Sequence, residues 1–224
     1  MSGKVFLSGG GNEKQTYGID EFLLKNVKKI LYIPIAWKNE DFESCKSWFT
    51  NMIHQHKKSE IKIDMIINLK DSPNLNDYGA IYIGGGNTFK LLKKIKESGF
   101  DRRLIEYYKN GGKIFGSSAG AIIFGKDINI ALICDDADVN DVILKNTKGF
   151  NIINGYDLQV HYNNSQLAEH KKYILKTKNP IIAIPEKSAL LVENGKYKVI
   201  GTKPITVITS NSSKNFSPNS EIIL

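Results

Sequence analysis

Short apolar runs alternate with amphipathic stretches over the first two-thirds of the chain. Val5–Leu7, Ile30–Pro34, Ile61–Ile67, Ala80–Ile83 and Lys113–Phe115 read as buried strands. Between them, Asp41–Lys57 carries Phe42, Cys45, Phe49, Met52 and Ile53 at helical spacing. Thr88–Glu97 does the same with Phe89, Leu91, Leu92 and Ile95, and Arg103–Tyr108 continues after a break at Gly99. This alternation predicts an α/β fold, a mainly parallel sheet with helices on both faces.

The last third changes character. Ala131–Lys148 is acidic and broken, which predicts a long loop or short hairpin. Tyr156–Val160 reads as a strand and Ser165–Lys176 as a helix. Ile181–Ile184, Ala189–Val192 and Tyr197–Ile200 are short strands, with Asn194-Gly195 as a tight hairpin turn. Antiparallel strands are therefore expected to close one edge of the sheet. No repeat, low-complexity tract or linker divides the chain, so residues 1–224 are expected to form a single domain.

Composition narrows the function classes. The 224 residues, 41% hydrophobic and 24% charged, suit a globular protein with a sizeable core. No apolar run reaches the roughly 20 residues a membrane helix needs. The first residues read as a strand and not as a signal peptide, so a cytoplasmic location is expected. The net charge of +8 comes mostly from scattered lysines, and Arg102 and Arg103 are the only arginines. Nucleic-acid sites concentrate basic residues and favour arginine, so a solvated surface is the better reading. Cys45 and Cys134 suggest buried thiols; no metal site or cofactor is expected.

Three glycine-rich points follow predicted strands: Gly9-Gly10-Gly11-Asn12, Gly84-Gly85-Gly86-Asn87-Thr88 and Gly116-Ser117-Ser118-Ala119-Gly120. In an open α/β sheet all three would line one crevice beyond the strand ends. The first two lack the third glycine of the dinucleotide pattern, and no phosphate-loop motif occurs. The third is a G-x-S-x-G turn between a strand and a helix, the setting of a nucleophile elbow. Glycines two residues either side let strand and helix approach, and the helix turns free N–H groups towards Ser118. Gly85 or Gly86 would supply one oxyanion donor and Ala119 the other.

A serine nucleophile needs a base, and the base needs an orienting partner. His54 and His56 sit late in a helix, and His170 lies in a lysine-rich helix where exposure is expected. His161 alone ends a strand and is the candidate base. For the acid, Asp135 and Asp136 lie between Ser118 and His161, and Glu186 ends a later strand.

These residues carry a family likeness. Gly84-Gly85-Gly86-Asn87-Thr88-Phe89 with Leu91-Leu92, followed by Gly116-x-Ser118-Ala119-Gly120-Ala121, resembles the S51 serine peptidases of the peptidase E type. Lys148-Gly149-Phe150, His161-Tyr162 and Ile184-Pro185-Glu186 extend the likeness over Val5 to Ile200. The resemblance implies a class I glutamine amidotransferase-like (flavodoxin-like) three-layer sandwich, with Ser118 as nucleophile, His161 as base, and Gly86 and Ala119 as oxyanion donors. It points to Asp135 or Asp136 as the acid, with Asp136 the choice. Gly85, Asn87 and Thr88 would then line the substrate site, and Glu186 is the candidate for the peptide's free amino terminus.

One departure matters. Aspartate-specific members carry an arginine after the histidine, whereas Asn163-Asn164-Ser165-Gln166-Leu167-Ala168-Glu169 has none. Lys171 is the candidate substitute, though a point charge matches a carboxylate less well than a guanidinium fork. The cyanophycinase branch fits less well. The expectation is a peptidase of short peptides without strict N-terminal aspartate specificity; a homodimer stays open, and no nucleic-acid or membrane partner is expected. The alternative is a catalytically silent binder of a small metabolite. An α/β-hydrolase esterase is disfavoured because its histidine normally lies much farther beyond the elbow.

Overall fold

The computed structural model describes residues 3–133 and 137–224. Its main sheet has eight strands. Lys4–Ser8 (β1), Lys29–Ile33 (β2), Lys62–Met65 (β3), Ala80–Ile83 (β4) and Lys113–Ser117 (β5) are mutually parallel, ordered β1-β5-β4-β2-β3. Strict alternation along these strands sends side chains to two separate cores. Val5, Leu7, Leu31, Ile33, Ile81, Ile83 and Ile114 face one. Phe6, Ile30, Tyr32, Ala80, Tyr82 and Phe115 face the other.

Helices cover both faces. Glu13–Leu24 (α1) and Phe42–Gln55 (α2) bury Ile19, Leu23, Leu24, Cys45, Phe49, Met52 and Ile53 on the second core. Thr88–Glu97 (α3) and Phe100–Lys109 (α4) bury Phe89, Leu91, Leu92, Ile95, Phe100 and Leu104 on the first. Local chemistry sets the helix starts. The Asn87 side chain accepts from Lys90 N–H at 2.9 Å, and Asp41 accepts from Ser44 N–H at 3.1 Å. Helix α1, which the strand-helix reading passes over, starts with a reciprocal box between Asn12 and Gln15.

Beyond β5 come Ala119–Ile122 (α5), Asp157–Gln159 (β6), Leu167–Thr177 (α6), Ile181–Ala183 (β7), Ser188–Glu193 (β8) and Lys196–Gly201 (β9). Ile205–Ile208 (β10), Ser213–Phe216 (β11) and Glu221–Ile222 (β12) complete the strands among the described residues. As expected, antiparallel strands close the main sheet, in the order β12-β9-β8-β1. The Asn194-Gly195 turn has φ of 52° and 72°, the left-handed pair that a tight hairpin needs.

One expectation is corrected. Strands β6 and β7 do not extend the main sheet; they join β10 and β11 in a second, four-stranded sheet ordered β11-β10-β7-β6. Ile181, Ile182 and Ala183 are all buried, as a strand covered on both faces requires. The described residues 131–133 and 137–148 are irregular as expected: a short 3-10 turn at Ile128–Leu132 precedes residues 137–148, which are strapped to α3. Lys93 Nζ donates to Val142 O, and Lys96 Nζ to Asn146 O and Lys148 O. Among the described residues no helix is long and apolar enough to cross a membrane.

Helix α1 also carries an acid into the second core. Asp20 is 1% exposed and accepts from Thr16 Oγ1 at 2.8 Å. Burial drives its pKa up to about 7, with a smaller push from Glu13. The folded state therefore holds a proton that the unfolded chain releases near pH 4. Stability contributed by that proton is full at low pH and is lost as pH rises to about 7, on the order of 4 kcal/mol by linkage. Asp20→Asn is expected to be more stable than wild type at pH 8, with the margin shrinking towards pH 4. Urea midpoints at both pH values check this; an unchanged margin would contradict it.

Candidate active site

Three strand ends converge beyond the carboxyl edge of the sheet: β5 with Ser118, β1 with its glycine loop, and β6 with His161. Ser118 takes φ 53° and ψ −119°, outside the conformations that most side chains accept. Its N–H reaches Ser8 O at 3.3 Å, and its carbonyl accepts from Ala121 N–H at 2.7 Å. The flanking glycines permit this turn. A Cβ on Gly116 would stand 2.1 Å from Gly120 O, and one on Gly120 would stand 2.3 Å from Ile83 O. This is an elbow strained by its surroundings, as nucleophile positions often are.

Ser118 Oγ lies 3.0 Å from His161 Nε2, and His161 Nδ1 lies 3.1 Å from Glu186 Oε1. A neutral ring donating Nδ1–H to the carboxylate leaves Nε2 free to accept the Ser118 proton. The glycine loop after β1 is the seat of that ring. A Cβ on Gly10 would fall 2.2 Å from His161 Cε1, and His161 N–H donates to Gly9 O at 3.0 Å. The first glycine-rich stretch thus makes room for the histidine.

Glu186 arrives through backbone pairing. Ile184 N–H donates to Gln159 O and Tyr162 N–H to Ile184 O, tying the loops after β6 and β7 together. Asp135 and Asp136 lie outside the described residues. Their neighbour Asp138 serves the scaffold, accepting from Thr88 N–H at 2.8 Å at the start of α3.

Gly86 has φ 116°, and a Cβ there would stand 2.0 Å from Ala36 O. Among the described residues, the N–H groups of Gly86 and Ala119 donate to no backbone carbonyl outside regular elements. Asn87 caps α3 and Thr88 begins it. Asn87 spends its oxygen on Lys90 N–H and its amide on Val139 O, while Thr88 is wholly buried. The Asn87 groups are used locally, whereas Thr88 Oγ1 has no hydrogen-bond partner among the described residues and Thr88 lines a cavity that also holds Ser118.

Of the other histidines, His54 is exposed and His56 stacks on Tyr17 at 4.0 Å. His170 reverses its expectation: it is fully buried, bonded through Nδ1 to Gln166 O at 2.7 Å and edge-on to Tyr162. It shares the inward face of α6 with Tyr173 and Ile174, and burial lowers its pKa. Lys171 lies on the exposed face of α6, and neither it nor an arginine lines a cavity at Ser118.

Two cavities meet at Ser118, one of about 460 Å³ and one of about 670 Å³, sharing Trp37, Gly86, Ser118 and His161. The larger carries Lys38, Asp138, Glu186 and Lys203. The lysines gave no signal in the sequence, because Lys38 opens a 3-10 turn and Lys203 sits in a loop, and only folding brings them near Ser118.

An α/β sheet presenting a serine elbow to a carboxylate-held histidine defines a hydrolase-like class of protein. Within it, the chain belongs to peptidase family S51, whose model matches residues 3–200. It is 27% identical to peptidase E of Shewanella denitrificans over 81% of this chain and 78% of that protein. It is 26% identical to peptidase E of Haemophilus influenzae strain Rd, over 81% and 84%. The crystal structure of a peptidase from an acI-B1 actinobacterium shares the fold, with a TM-score of 0.71 at 19% identity over 100% and 98% of the two chains. The protein is a peptidase by family.

Proposed function

We propose that this chain is a serine peptidase of short peptides, acting through an acyl-enzyme on Ser118. The observation that carries the reading is the continuous line from Ser118 Oγ through the His161 ring to Glu186. Ser118 Oγ attacks the scissile carbonyl carbon as its proton passes to His161 Nε2. The oxyanion is held by the N–H groups of Gly86 and Ala119. As the C–N bond breaks, His161 returns the proton to the leaving amine. Water, deprotonated by the same Nε2, then releases the acid product and Ser118. No metal or cofactor is called for in these steps.

Glu186 is proposed as the acid in place of Asp136, because its carboxylate meets Nδ1 and would steady the imidazolium formed during attack. Glu186→Ala is expected to lower kcat/KM by roughly 10²–10⁴-fold while leaving the fold intact, given its half-exposed position. Asp136→Ala is expected to be far milder. The reverse order in steady-state assays would move the acid to Asp135 or Asp136.

A fluorophosphonate probe tests the whole reading. It is expected to label the wild type on Ser118, identified by mass spectrometry, and the protein is expected to cleave members of a dipeptide library. A protein inert to both would be the silent binder instead.

A further inference from the structure

The two cavities meeting at Ser118 differ in chemistry. The smaller is walled by Tyr32, Trp37, Trp48 and Tyr82, with Pro34 and Cys45 between them, and no lysine, arginine, aspartate or glutamate lines it. The larger holds the charged residues. We propose that the aromatic cavity is a specificity pocket that takes a large apolar or aromatic side chain, such as phenylalanyl, from a residue next to the scissile bond. This deepens the peptidase reading and rests on it.

The walls are built into the core. Tyr32 and Tyr82 come from the carboxyl halves of β2 and β4, while Cys45 and Trp48 come from α2. Tyr32 stacks on Phe49 at 4.2 Å, and Tyr82 stacks on Phe115 at 4.8 Å. Trp48 meets Tyr82 edge-on at 6.4 Å. Burial raises the pKa of the Tyr32 and Tyr82 phenols and of the Cys45 thiol, so these groups stay neutral. Rings locked by their neighbours need little reordering to receive another ring, and edge-to-face contacts reward an aromatic guest.

An acidic side chain has the opposite prospect. In this cavity it would lose water without gaining a cation, a cost that charged groups avoid. Arg103, one of only two arginines, is bonded to Ser72 and Pro73, away from Ser118. A peptide's terminal carboxylate would instead find cations in the larger cavity, which Lys38 and Lys203 line. The shared boundary at Ser118 and His161 would hold the scissile amide between the two.

The chain's two tryptophans, Trp37 and Trp48, both line this cavity, so their fluorescence reports its occupancy. Ser118→Ala is titrated with Phe-Ala, Ala-Phe, Ala-Ala and Asp-Ala. At least one phenylalanyl peptide is expected to change the emission and to bind at least about tenfold more tightly than Ala-Ala and Asp-Ala. Adding Trp48→Ala should erase most of that margin. Trp37→Ala, at a loop position 46% exposed, repeats the test without disturbing the core. Binding of Ala-Ala or Asp-Ala as tight as that of both phenylalanyl peptides would overturn the pocket assignment, as would a margin untouched by both tryptophan variants. Tight phenylalanyl binding with no hydrolysis by the wild type would support the pocket and refute the peptidase reaction.

Discussion

Ser118→Ala is expected to lower turnover of a cleaved dipeptide by roughly 10⁴–10⁶-fold, the scale on which a nucleophile acting as part of a unit is lost. The residual rate would come from oxyanion donors and substrate positioning, which the substitution leaves in place. Alanine in that unusual backbone conformation, φ 53° and ψ −119°, keeps the turn's strain while removing only the hydroxyl. Stability should therefore change little, and a thermal melt beside the assay separates lost chemistry from lost fold. Ser117→Ala is the control. The Ser117 hydroxyl bonds the buried Tyr82 phenol, so its loss should have a small effect on turnover beside that of Ser118. Equal rates for Ser118→Ala and wild type would end the catalytic reading.

His161→Asn is expected to cost roughly 10³–10⁶-fold in kcat/KM and to abolish fluorophosphonate labelling of Ser118, because the hydroxyl then has no base. Asparagine is the informative replacement. His161 sits at φ 52°, a left-handed position that asparagine tolerates better than most side chains. The ring is half-exposed above Gly10, so its removal opens no cavity in either core. A folded His161→Asn protein that still labels at the wild-type rate would show that another group activates Ser118. The buried His170 is no such rescue, since it is fully enclosed and lines neither cavity at Ser118.

Much of this was legible in the residues themselves. The alternation of apolar runs and helical stripes predicts β1 to β5 and helices α2 and α3, because period-2 and period-3.6 patterns are local. Gly116-Ser117-Ser118-Ala119-Gly120 announces its turn because only glycine fits where strand and helix backbones nearly touch. His161 is found by elimination, as the one histidine ending a predicted strand. Helix α1 had its own signal, Asn12 and Gln15 followed by Ile19, Leu23 and Leu24, hidden behind three glycines.

The remainder depends on which strand ends meet. An acidic residue in a loop carries no mark of its partner, so choosing among Asp135, Asp136 and Glu186 from the sequence has no physical footing. The pairing of β6 with β7 brings Glu186 to His161, across 25 residues of chain. Likewise Tyr32, Cys45, Trp48 and Tyr82 lie on two strands and a helix, and no local spacing marks them as sharing a wall. Their side chains form one wall only because β2 and β4 are neighbours and α2 lies across them. The sequence by itself determined the parallel sheet, the elbow and the candidate base, all written in local spacing and in the tolerance of glycine for close approach. Only the tertiary structure decided the residue that holds His161 and the aromatic and charged sides of the cleft, because those depend on contacts between residues far apart in the chain.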